Sequence, residues 1–103
     1  MNTTKEWNEV EPLNDLTFGR AVVQAEDPVL VFFCACGRPI NRYLFPLAEE
    51  IAASRVEELR EYQVNLDENP FLADYFGLGG DPALILFHEG RVIGRWEDAR
   101  TTE

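Results

Sequence analysis

Two uninterrupted apolar runs, 29–33 (VLVFF) and 83–87 (ALILF), frame this chain. Strands without polar alternation are those covered on both faces, as inner strands flanked by helices are. Between them, Tyr62, Val64 and Leu66 alternate with polar residues and predict a further strand. Ile40, Tyr43, Leu44, Leu47, Ala48 and Ile51 recur at helical spacing and leave Arg42, Glu49 and Glu50 on the opposite face. Pro46 interrupts that helix by removing one backbone hydrogen bond, which predicts a kink. Asn69-Pro70 predicts a helix start, with Asn as cap and Pro in the first turn, where its missing N–H costs nothing. Gly77 predicts the end of that helix, and Glu89-Gly90 a tight turn into a strand over 91–96. Upstream, residues 7–11 alternate weakly as a short edge strand, and Asn14 or Asp15 caps a helix over 17–23. The order β-α-β-α-β-α-β-β ends in an antiparallel hairpin and implies an α/β domain: a mixed sheet with helices on both faces. A chain of 103 residues supports one such domain, spanning 1–103.

Charge narrows the partners. With 19 acidic and 9 basic residues the formal charge is −10, which opposes nucleic acid and anionic membranes, because phosphate binding relies on Lys and Arg. No segment has the apolar length to span a bilayer. The N-terminus lacks a basic segment leading into an apolar run, so the expected location is cytoplasmic. With His88 the one histidine and Cys34 and Cys36 the two cysteines, a four-ligand zinc site within the chain is not expected. Neither a metal nor another cofactor is expected.

Further motifs carry a family resemblance. Thioredoxins have a V-L-V-D-F-W-A-x-W-C-G-P-C run, a helix with an internal proline, a strand ending N-x-D-x-N-P, and a Y-G-I-x-G-I-P-T-L segment before the last hairpin. Here residues 29–33 are followed by FPLAEEIA at 45–52, NLDENP at 65–70 and GLGGDPAL at 77–84. The chain resembles the thioredoxin family without a gap from Val29 to Gly90. The resemblance implies a thioredoxin-like three-layer fold, and Pro82 then matches the family's cis-proline facing the active-site turn.

The same register displaces the redox chemistry. The C-G-P-C tetrad falls on Arg38-Pro39-Ile40-Asn41, the family's buried aspartate on Phe32, and the tryptophan before the motif on Cys34. Disulfide reduction needs a low-pKa thiolate at the helix start and a second thiol to resolve the mixed disulfide. One reading is therefore a redox-inactive module that binds a protein partner in an accessory or chaperone-like role, through Arg38, Pro39, Asp81, Pro82 and Trp96. The alternative is an atypical thiol-disulfide oxidoreductase. There a two-residue shift puts Cys36 at the nucleophile's place, with Cys34 as resolving thiol. Arg38 and Arg42, one turn apart, also suit a carboxylate or phosphate.

Family members continue beyond the hairpin into an amphipathic helix. Residues 96–103 (WEDARTTE) are too short and too polar for one. The C-terminal helix is therefore expected to be missing, which would leave a sheet face uncovered for a homodimer or a protein partner.

Overall fold

The computed structural model describes residues 10–34, 44–53, 59–78 and 82–97. They build a five-stranded mixed sheet. Its strands are β1 (Glu11–Leu13), β2 (Val29–Cys34), β3 (Arg60–Asn65), β4 (Ala83–His88) and β5 (Arg91–Glu97), in the spatial order β1-β3-β2-β4-β5. Strands β1 and β2 run parallel to β3, while β4 is antiparallel to β2 and to β5. The two apolar runs lie side by side at the centre: all of β2 but Cys34 and all of β4 but His88 are buried.

Alternation along these strands makes two cores. Val29, Val31, Phe33, Val64, Ala83, Ile85 and Phe87 face a layer formed by Phe18, Val22, Leu72 and Leu78. Leu30, Phe32, Leu84 and Leu86 face the other layer, where Leu47 and Ile51 of helix α1 (Leu44–Ala53) pack with Val10, Leu59 and Trp96. Helices therefore cover both faces, as expected. The open sheet face is not what the strands show: Leu30 and Leu84 are 0 % exposed, Phe32 2 % and Leu86 5 %. Side chains from β5, α1 and the segments before β1 and β3 bury the middle of that face. Trp96 lies over Gly94, where an added Cβ would stand 2.5 Å from the indole ring.

Several local expectations are corrected. The first strand is Glu11–Leu13, later than 7–11, because it pairs with residues 62–64 of β3; Trp7 lies outside the described residues. The helix over 17–23 is a π-helical turn, Gly19–Val23, in which Gln24 N–H reaches Gly19 O at 3.1 Å. Asn14 does cap the entry to it, its Oδ1 accepting the amides of Leu16 and Thr17 at 2.8 and 3.0 Å. Pro46 is exposed on α1, and Arg42, the residue one turn before it where the kink is expected, lies outside the described residues.

Helix α2 (Pro70–Tyr75) begins at Asn69-Pro70, yet Asn69 makes no side-chain cap. Its Oδ1 instead accepts the Asp15 N–H at 3.0 Å and its Nδ2 donates to Asn65 O at 3.0 Å. The carboxylate of Asp15 supplies the cap, accepting the Leu72 N–H at 3.2 Å. Two segments far apart in sequence are thus clasped reciprocally. The other end of α2 follows the expectation. Gly77 has φ 66°, Leu78 N–H bonds Ala73 O at 2.8 Å and Gly77 N–H bonds Asp74 O at 3.1 Å, the paired bonds of a Schellman ending. Glu89 and Gly90, with φ 54° and 81°, make the tight turn between β4 and β5, since two positive φ values match the twist of a hairpin. Beyond the turn Phe87 pairs with Val92 and Leu86 with Gly94, leaving Ile93 as a bulge that twists the β5 edge.

Candidate functional site

The C-terminal ends of parallel strands are where α/β sheets place their chemistry, because the following loops converge there. Cys34 is the last residue of β2 and pairs with Asn65, the last of β3. Phe33 pairs with Ala83 in β4, and Cys34 and Pro82 are the residues that adjoin this last pair along the chain. Pro82 is fully buried. Trp96 pairs with Leu84 and shares the α1 layer with Cys34, half-buried, one strand further out. Cys36, Arg38, Pro39 and Asp81 lie outside the described residues, as do Arg42 and the Asp81 side of the bond to Pro82.

The Cys34 thiol is half-buried beside the apolar group of Phe32, Leu30 and Leu47. Its Sγ–H donates to Val64 O at 3.5 Å and faces Gln63 Oε1 at 4.0 Å. Burial pushes the thiol pKa up, because desolvation penalises the thiolate; its own backbone amide offsets this in part, and the Asp67 carboxylate adds to the rise. At neutral pH Cys34 is a protonated thiol and a poor attacking group.

Gln63 is a residue that the sequence reading passed over. Its Nε2 donates to Val10 O at 2.6 Å, tying the segment before β1 to β3 and turning the amide oxygen toward Cys34. A signal for it existed: if Tyr62, Val64 and Leu66 face one core, then Gln63 faces the other, as Phe32 and Cys34 do. His88, at the far end of β4, lies beside the start of β2, a strand's length from Cys34.

No helix among the described residues is long and apolar enough to cross a membrane. Comparison with known proteins agrees with the topology. The family model Thioredoxin matches residues 9–103. The chain is 37% identical over 83 residues to Thioredoxin 1 of Synechococcus elongatus, covering 79% of this chain and 76% of that protein. It is also 37% identical over 81 residues to the thioredoxin of Alicyclobacillus acidocaldarius, covering 79% and 76%. A chloroplastic M-type thioredoxin of Pisum sativum is 34% identical over 102 residues, covering 93% of this chain and 58% of that protein. The mixed sheet, the cysteine at the end of its central parallel strand and these matches lead to one assignment: the chain belongs to the thioredoxin family.

Proposed function

We propose that the chain is a thiol-disulfide exchange protein with an atypical pair, in which Cys36 attacks and Cys34 resolves. The observation that carries this reading is the state of Cys34. It sits half-buried at the end of β2 with its proton retained by burial, which suits a thiol that acts second, on a disulfide formed beside it. The thioredoxins among its relatives support the same chemistry. The Cys36 thiolate attacks one sulfur of a protein disulfide, forming a mixed disulfide and releasing the first substrate thiolate. Cys34 then loses its proton to solvent and attacks the Cys36 sulfur, releasing the second substrate thiolate. The chain is left with a Cys34–Cys36 disulfide, oxidised by two electrons as the substrate is reduced by two. An external dithiol reductant returns it to the starting state. The small ring closed by two cysteines one residue apart is strained, which makes that disulfide more reducible.

A second reading, a binding module with inert thiols, is favoured by Phe32. This buried phenyl ring, 2 % exposed, occupies the place where the family resemblance calls for a proton-transferring aspartate. The two readings separate on reaction with an aromatic disulfide reagent, followed by mass spectrometry of the intact chain. Exchange chemistry predicts release of both reagent thiols and a chain lighter by two hydrogens. Cys34→Ser should stop at the mixed disulfide, with one reagent thiol still attached. Two stable adducts on the native chain, or no reaction, would remove the exchange reading and leave the binding module.

A further inference from the structure

The outer face of α2 carries two large side chains that the core does not use. Phe71 is 64 % and Tyr75 71 % exposed, yet their rings stack with centroids 6.2 Å apart at 21°. Tyr75 also meets the edge of Phe76 at 4.9 Å and 90°, and Phe76 packs at 5.4 Å on Phe33 and 5.7 Å on Phe87. The exposed stack is the outer end of an aromatic chain anchored in the core, so it is held in place before any partner arrives. An open groove of about 890 Å³ runs along one side of Phe71, with Asp67 and Asp74 in its walls. A recess of about 240 Å³ lies on the other side, between Phe71, Tyr75, Phe18 and Val23, with Asp15 in its lining.

The charged residues among the described lining of the groove and the recess are all acids: Asp67 and Asp74 in the groove and Asp15 in the recess. Flat rings flanked by carboxylates suit a guanidinium, which stacks on an aromatic face while its N–H groups reach the acids. The recess and groove beside the rings suit aliphatic side chains. A second copy of this chain would bring a charge of −10 against another −10, so like-charge repulsion opposes self-pairing here.

We infer that the Phe71–Tyr75 face of α2 docks a segment of a partner protein rich in arginine and aliphatic side chains. Docking rests on α2 and the walls beside it and is independent of the thiol chemistry. It is tested on the isotope-labelled full chain, titrated with a short amidated peptide of alternating arginine and leucine, with an alternating glutamate–leucine peptide as control. The basic peptide should shift amide resonances of residues 66–77 and 15–23, and the control should not. Phe71→Ala should weaken binding roughly three- to tenfold, the range expected for loss of one cation–π contact. Asp74→Asn should weaken it less, and added salt should weaken it progressively. Because both rings are exposed, these variants should melt with the native chain, which checks that the loss is local. The inference is overturned if Phe71→Ala and Tyr75→Ala bind as the native chain does, with shifts spread over the acidic surface, or if the basic peptide does not bind. Concentration-dependent self-association that Phe71→Ala abolishes would also overturn it, by assigning the face to a second copy.

Discussion

Among the described residues, replacing Asn69 by alanine should be the most costly single change at a polar residue outside the thiol region. Asn69 is 6 % exposed and is the one buried polar residue among those described. Its loss removes two hydrogen bonds of 3.0 Å, one from Asp15 N–H and one to Asn65 O. Asp15 N–H loses its acceptor, which costs about 1–3 kcal/mol when water cannot replace it, whereas Asn65 O also accepts the Glu68 N–H and loses only the about 0.5–1.5 kcal/mol net of one bond. Both sites are part-buried, so the lower half of those ranges applies and the sum is about 2 kcal/mol. For a domain of this size that corresponds to a fall of roughly 8–16 °C in Tm. Urea unfolding followed by far-UV circular dichroism reads the free energy directly. Asn69→Asp keeps the acceptor for Asp15 N–H and loses only the donor to Asn65, so it should fall between alanine and the native chain. Asp15→Ala keeps its own N–H but removes the cap on Leu72, which should cost about 1 kcal/mol. If Asn69→Ala lies within about 0.5 kcal/mol of the native chain, as an ordinary surface change does, the reciprocal clasp does not hold α2 and the reasoning fails.

Two further outcomes follow from the thiol and the hairpin. Cys34 has a raised pKa in the fold, so it keeps its proton there after the unfolded chain has lost it. Its contribution to stability is full below the ordinary value of 9.0 and is lost as pH rises through 9.0 toward the raised folded value. Cys34→Ala should flatten the alkaline fall of the stability curve, and alkylation of native Cys34 should lag behind that of the denatured chain; equal rates would refute the burial argument. Glu89 holds a left-handed backbone, φ 54°, that costs a side-chain-bearing residue about 1 kcal/mol. Glu89→Asn should raise the urea midpoint, whereas Gly90→Ala should lower it, because its Cβ would stand 3.1 Å from Val23 O.

What the sequence determined by itself is local or periodic. The apolar runs at 29–33 and 83–87 had to become central strands, because no single face could hide five consecutive apolar side chains. Gly77 and Glu89-Gly90 specify backbone angles within a few residues, and the structure places their turns there. The family resemblance rested on such features, which is why the fold was legible. Tertiary structure decided what depends on partners distant along the chain. Asn69 was a reasonable cap by local rules, but Asp15, 57 residues from Leu72 in sequence, reached that amide once the sheet set the two segments side by side. Gln63 became a neighbour of Cys34 only through the β2–β3 register. Trp96 and α1 buried sheet residues that the polar tail had suggested would be open. Periodicity could not separate Phe71 and Tyr75 from Leu72 and Phe76, since aromatic residues at helical spacing ordinarily face a core. Which of them did was settled by the direction from which α2 meets the sheet.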